Sequence, residues 1–439
     1  MTTDSAAASR RSRANPLINR DMALLWAAQG LSYLGDQVFD TTLVVWIAAV
    51  LAKGQTWAPL AVSGVLIAVT IPTLVIGPLA GVFVDRADKR RMLIATDAVR
   101  AVLIVFLLLS TGVVGGFHPS IQVQLGSIYV IVFVTAAATQ FFGPARIALV
   151  RDVVPEQSRA QAQSLAQVNA SVSAIIGPPL AVPTLFLLGI QWALIANAVS
   201  FVLSLSLIFL VRPPASNEPA TEAQQPNFWR ELREGFEFAG RNAVVRTLLV
   251  SLLLVMLGGG TLNALDVFFV IHNLNTSANL YGFMGAAMGA GVLIGALLGS
   301  RVAGRLGLNR TYLLSLFSFA ILMLIYARLT SFAVALVVVF VVGFPQAWVN
   351  VAAAPILMGA TPRALLGRVF ALVQPIASIA TIVATAGAGF LATSVLANLN
   401  AEVGGIHIGT YDTIFSLAAI LILVGAVYAW NGMRDSASP

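Results

Sequence analysis

Four carboxylates stand where the surrounding sequence makes charge expensive: Asp36, Asp40, Asp97 and Asp266 each fall inside a long apolar run. A carboxylate in hydrocarbon costs about 2.5–3.5 kcal/mol even on lenient insertion scales, so each needs a partner or a function. Asp36 and Asp40 are one helical turn apart, with no basic residue in the same run. Two neighbouring carboxylates in a low dielectric do not both ionise readily, and an acid that holds and releases a proton within a membrane is what proton coupling requires. The plainer alternative is a neutral or serine-bonded acid used in packing. Asp97 has Arg100 at i+3 and reads as a satisfied local pair. Asp266 follows Gly258-Gly259-Gly260, a glycine-rich stretch expected to be flexible. It reads either as a contact for a cationic substrate or a proton carrier, or as a solvated acid at the outer mouth. His118 and His407 fall in loops and His272 at the end of a run, so no histidine is placed to relay a proton across the middle. The chain has no cysteine, which removes a thiol nucleophile and cysteine-ligated zinc. It has no P-loop, so ATP hydrolysis is not its own energy source. No metal site and no cofactor is expected.

The runs that hold these acids are transmembrane helices. Of 439 residues, 58% are hydrophobic and 10% charged, where a soluble chain carries roughly a quarter charged. The apolar residues come in runs of about 20, the length of helix that crosses a ~30 Å hydrocarbon core. Twelve spans are expected: 22–50, 58–84, 92–114, 124–145, 160–188, 191–211, 245–271, 279–303, 311–328, 331–357, 367–396 and 411–431. Alternating sides from an N-terminus in the cytoplasm puts 22 of the 25 Lys and Arg in cytoplasmic segments. The outer side keeps Lys53 and Arg328, and Arg100 lies within the third span. That asymmetry is the positive-inside pattern, and it places both ends of the chain in the cytoplasm of a multi-pass plasma-membrane protein. The N-terminal segment, with Arg10, Arg11 and Arg13, is polar and carries no cleavable signal. A net charge of +7 might suggest a nucleic-acid partner, but the basic residues are spread over short loops with no single basic face, so none is expected.

Residues 212–227 are polar and proline-rich, which suits a linker. Phe228 to Arg241 then places Phe228, Leu232 and Phe236 at four-residue spacing among charged residues, an amphipathic helix for the cytoplasmic membrane face. Six spans precede this segment and six follow, giving an N-terminal half over 1–211, a linker over 212–241 and a C-terminal half over 242–439. Gly77-xxx-Gly81 at the end of the second span is echoed by Gly295-xxx-Gly299 at the end of the eighth, and Pro155 by Pro362. Two six-helix halves with binding at their interface is a transporter plan.

The segment Gly77-Pro78-Leu79-Ala80-Gly81-Val82-Phe83-Val84-Asp85-Arg86, followed by Lys89, Arg90 and Arg91, resembles the signature of the major facilitator superfamily. Gly77 and Gly81 would let a neighbouring helix approach closely. The resemblance implies that Asp85 bridges to the start of the eleventh span, near Gly367 and Arg368, and latches the two halves on the cytoplasmic side. The corresponding segment of the second half, Gly299 to Arg305, lacks the acid. Asn19 to Trp26 with Ser32-Tyr33-Leu34-Gly35-Asp36, Asp97-Ala98-Val99-Arg100, and Phe142-Gly143-Pro144-Ala145-Arg146 are similar to the drug:proton antiporter branch that includes macrolide and siderophore exporters. In the fifth span Ser173 to Val182 keeps Gly177-Pro178 of that branch and departs from it at three glycines.

The resemblance implies an all-α fold and a secondary exporter, not an enzyme. It would move a small amphipathic, drug-like substrate across the lipid bilayer in exchange for protons, as in multidrug efflux and antibiotic resistance, working as a monomer. Asp36, Asp40 and Asp266 would carry the coupling. A lipid, lysophospholipid or siderophore exporter of the same fold is the alternative. Gln140, Asn169, Asn263, Gln346, Asn350 and Gln374 would line a cavity, unless they serve as hydrogen bonds between helices. Trp348, between Gln346 and Asn350, would stack on substrate, whereas other tryptophans lie near span ends, where an interfacial belt explains them.

Overall fold

In the computed structural model, which describes residues 18–112, 119–212, 228–403 and 406–435, twelve apolar helical segments are long enough to cross a membrane. The chain runs α1 (Arg20–Trp46), α2 (Ala58–Val75), α3 (Gly77–Arg86), α4 (Lys89–Ser110), α5 (Ile121–Val153), α6 (Arg159–Pro183) and α7 (Ile190–Phe209). The short α8 (Phe228–Arg241) follows. The second set is α9 (Ala243–His272), α10 (Tyr281–Leu306), α11 (Leu308–Tyr326), α12 (Phe332–Ala360), α13 (Leu366–Phe390) and α14 (Thr410–Asp435). Arg10, Arg11, Arg13, His118 and most of the proline-rich linker lie outside the described residues.

The helix starts follow from their caps. Asn19 accepts the backbone N–H of Met22 at 2.7 Å, Asp88 that of Arg91 at 2.7 Å, and Asn242 that of Val245 at 3.0 Å, each satisfying a donor that the first helical turn leaves open. The second span, expected as one helix over 58–84, is two. Pro72 and Pro78 each lack a backbone donor, and the ladder breaks at Ile76 between α2 and α3. The fourth span begins three residues before the expected boundary and extends to Val153. Between the eleventh and twelfth expected spans, Asn400–Val403 (β1) pairs antiparallel with Ile406–Gly409 (β2). The all-α expectation is otherwise met.

Within the first set, α1 packs on α6 and α7, and α4 on α5 and α7; in the second, α9 packs on α13 and α14, and α10 on α12. The two sets join along α2 with α13 and along α6 with α10. Large apolar side chains such as Phe106, Val130, Leu297 and Val337 stay exposed on the outside, as lipid-facing surfaces do. The amphipathic α8 lies on α13 and α9, with Ala239 buried and Gly235 so close to Arg368 that an added Cβ would sit 2.7 Å from its carbonyl oxygen. Phe236, of the apolar face expected to meet the membrane, is exposed.

The joints between the two sets lie at the end remote from the basic loops. A Cβ added at Gly389 would stand 2.9 Å from Ser63 Cβ, one at Gly285 2.9 Å from Pro178, and one at Gly289 3.0 Å from Ile175. At the basic end α3 packs mainly on α5 of its own set, and Gly81 has nothing within 4 Å of an added Cβ. At these glycines the two sets touch toward the remote end, whereas Gly81 at the basic end is open.

Candidate functional site

Asp36 lies midway along α1, and Gly35 beside it permits the approach of α7. A Cβ there would stand 2.8 Å from both Asn197 Oδ1 and Ser200 Cβ. The acid does not lack a basic partner, as its own helix suggests. Arg100 of α4 reaches it, Nη1 to Oδ2 at 3.8 Å, while its Nη2 donates to Asp97 Oδ1. Arg100 is 1% exposed and Asp97 0%, and the guanidinium lies over two rings, 4.6 Å from the centroid of Phe142 and 4.4 Å from that of Phe201. The local pair read at Asp97 and Arg100 is thus present and extended. One buried cation serves two carboxylates and two aromatic faces. Asp36, whose side chain is 33% exposed, is the member that meets open space.

Asp40, one turn on, is exposed to a cavity of about 260 Å³ lined also by Thr70, Asn263, Tyr281, Thr381 and Thr385. Its walls come from α1, α2, α9, α10 and α13, and so from both six-helix sets. Asn263 and Tyr281 also border a second space of about 150 Å³, which contains Asp266, Met288 and Tyr326. Asp266 accepts a hydrogen bond from the Tyr326 hydroxyl and is partly enclosed rather than solvated at a mouth. Tyr326 is fixed by Phe269 and Phe415, with centroids 4.8 and 5.9 Å away. The glycine run before Asp266 is continuous helix, and two of its three members are packed: Gly258 against Ile422 and Ala418, Gly260 against Ala384. Its use is close packing of α14 and α13, not flexibility.

The arrangement is one space between the two six-helix sets and a second within the second set, sharing Asn263 and Tyr281 as lining, and comparison with known proteins names the family. A family model described as transmembrane secretion effector matches residues 11–425. The chain belongs to this family, within the major facilitator superfamily. It is 25% identical over 391 residues to the uncharacterized MFS-type transporter YfiS of Bacillus subtilis, covering 86% of this chain and 88% of that one. It is 24% identical over 241 residues to macrolide efflux protein A of Streptococcus pyogenes, covering 55% and 56%. The putative bacilysin exporter BacE of Bacillus subtilis is 30% identical over 211 residues, or 47% and 48%. Among solved structures, a bacterial homologue of the iron transporter ferroportin in an inward-facing state superposes with a TM-score of 0.74 at 14% identity, over 94% of this chain and 98% of that one. The nucleoside transporter NupG superposes at 0.72 and 12%, over 95% and 99%. Family and fold are those of membrane transporters.

This transporter's other expected site residues divide. Asn263 lines both spaces. Gln374 is exposed on α13 and lies seven and eleven residues before Thr381 and Thr385, on the same helical face. Gln346 and Asn350 are exposed on α12, on the face that carries Val339 and Val342 to Asp266. Asn169 is not at the cavity: it is buried and donates to the Trp26 carbonyl at 2.7 Å, tying α6 to α1. Gln140 donates to Thr73 Oγ1 at 3.0 Å and to Ala136 O at 3.2 Å, tying α5 to α2. Trp348 donates to Gly295 O at 3.0 Å and packs between α12 and α10, not against a substrate space.

The latch is unmade in this arrangement. Asp85 and Arg86 are exposed, and among the described residues no ion pair is formed by Asp85. Arg368 pairs with Glu234 of α8 at 2.5 Å instead. Arg90 donates to Ile208 O at 3.3 Å and to Phe209 O, holding the C-terminal carbonyls of α7. The main-chain N–H of Arg91 is held by Asp88. Gly77 meets Gln140 Oε1, 3.3 Å from an added Cβ, and Gly81 meets open space, so this pair does not seat a helix. Sequence reasoning missed Tyr281, Tyr326, Thr381 and Thr385. Their only signal is a hydroxyl in an otherwise apolar span, too common to single them out.

Proposed function

We propose that this transporter is a proton-coupled exporter of amphipathic, cationic or neutral compounds that works by alternating access of its two halves, 1–211 and 242–439, about the 212–241 linker. The observation that carries the reading is that Asp40 of α1 borders a space at the junction of the halves, and that Asn263 and Tyr281 of its lining also border the space inside the second half that holds Asp266. The positive-inside asymmetry supports a cytoplasmic basic end, where Gly81 is open, as the side from which cargo loads. The names of the macrolide efflux and bacilysin exporter relatives support that direction.

A cationic compound entering between the halves meets carboxylates at Asp36, Asp40 and Asp266. Protons arriving from the opposite side neutralise those carboxylates and so weaken their hold on a cation, which couples proton entry to cargo exit. Asp36 has a further consequence when protonated: Arg100 then interacts with Asp97 alone. The alternating cycle thus moves charge between groups already in contact, with no cofactor.

The test is substrate flux in proteoliposomes with an imposed pH gradient, comparing wild type with Asp36→Asn, Asp40→Asn and Asp266→Asn. Gradient-driven flux is expected to fall to background for Asp36→Asn and for at least one of the others, with the protein still folded. Undiminished gradient-driven transport by all three would refute proton coupling through these acids.

A further inference from the structure

A further cavity lies away from the acids. It occupies about 600 Å³ at the remote end, between the tips of the two halves, a size that suits a small organic ligand. Its floor is alanine: Ala48, Ala49, Ala52 and Ala58 of one half face Ala278 and Ala392 of the other. Its wall carries three rings. Tyr411 stacks with both Phe268 and His272, with centroids 6.0 and 5.5 Å away and planes inclined by 10° and 16°. The exposed Lys53 borders it with Thr56 and Ser277, and no Asp or Glu does so among the described residues. Asp412, next to Tyr411 in sequence, is buried and accepts from Gly409 N at 2.9 Å.

We infer that this vestibule is a second ligand site, for an aromatic monoanion such as an aryl sulfonate or aryl carboxylate, distinct from the acid-lined spaces at the centre. The ring stack and alanine floor receive a flat apolar body. Lys53 and the hydroxyls of Thr56 and Ser277 face an anionic head, while nothing there compensates a cation. The central spaces have the opposite sign, with Asp40 in one, Asp266 in the other and no Lys or Arg in the lining of either. Because the lining comes from both halves, the site is complete only while the remote end is closed. An occupant therefore favours that arrangement over its opposite, by the difference in its affinity for the two.

The test uses purified protein in phosphatidylcholine nanodiscs, where no anionic lipid competes and no transport is needed, so it stands apart from the export reading. Naphthalene-2-sulfonate is expected to bind saturably, and a naphthyl-trimethylammonium ion of the same size at least tenfold more weakly. Lys53→Gln, an exposed change, should weaken the sulfonate five- to tenfold; Ala49→Phe, which fills the cavity, should abolish binding. Equal affinity for the two probes, or unchanged sulfonate affinity in both variants, overturns the site. A Gly81→Cys reporter, the only thiol in the chain and open at the basic end, should react faster with a maleimide when the sulfonate is present. The same rate with and without it overturns the coupling to the closed remote end.

Discussion

The acids on the two pseudo-equivalent helices α1 and α9 are answered by different chemistry. Asp36 faces a cation, Arg100, which Asp97 and two aromatic rings hold in place. Asp266 faces a neutral tyrosine hydroxyl. A proton added to Asp36 therefore redistributes an existing ion network, whereas a charge on Asp266 has no fixed counter-ion and is left to a proton or a cationic guest. The first half thus holds its acid in an ion network and the second in a neutral hydrogen bond. The halves differ likewise at their Gly-xxx-Gly pairs. Gly295 and Gly299 seat α12 tightly, whereas Gly81 faces open space, as befits a surface that another helix meets only when the basic end closes.

Breaking the ion network should have the largest effect. Arg100→Met leaves Asp36 and Asp97 without their cation, and removing one partner from a buried ion network costs about 3–5 kcal/mol; loss of folded, monodisperse protein on size exclusion is expected. Asp97→Asn should be milder, since Asp36 still answers Arg100. Next comes the glycine contrast. Gly295→Ala would put a methyl 2.7 Å from Phe344 Cα and should cost ~1–3 kcal/mol by overpacking, lowering the thermal midpoint. Gly81→Ala should leave the midpoint within experimental error while slowing transport if that face closes during the cycle. Equal midpoints for the two variants would remove the distinction between the halves.

Removing the hydroxyl in Tyr326→Phe takes away one hydrogen bond, worth ~1 kcal/mol. A small fall in thermal midpoint is expected, together with changed flux of a cationic relative to a neutral substrate. An unchanged flux ratio would mean that Asp266 does not sense cargo charge. The smallest effect belongs to Glu234→Gln. Its partner Arg368 is about a third exposed, and such pairs are worth less than about 1 kcal/mol. Stability measured by thermal unfolding should barely move.

Much of the fold was legible because membrane insertion is read along one dimension. Runs of about 20 apolar residues and the sidedness of Arg and Lys need no knowledge of what touches what, and eleven of the twelve spans follow as continuous segments. The second did not, because a break between two proline-bearing stretches depends on which carbonyls find donors locally. The site was legible only as a set of costly residues. Asp36, Asp40, Asp97 and Asp266 stand out by expense alone, but expense does not name a partner. Asn169, Gln140 and Trp348 carry the same polar signal and turn out to fasten helices together.

The sequence by itself determined a twelve-span transporter with its costly charges in known helices, since hydropathy and charge sidedness are read along the chain without knowing what touches what. Only the tertiary structure decided that Arg100 answers Asp36, that Tyr326 answers Asp266 from 60 residues away, and that Arg368 holds Glu234 while Asp85 stands free of ion pairs among the described residues. Those pairings depend on angstrom-scale approach between helices distant in the chain. Helix approach is set by which small residues let backbones close together, as Gly35 does for α1 and α7, and no local pattern encodes it.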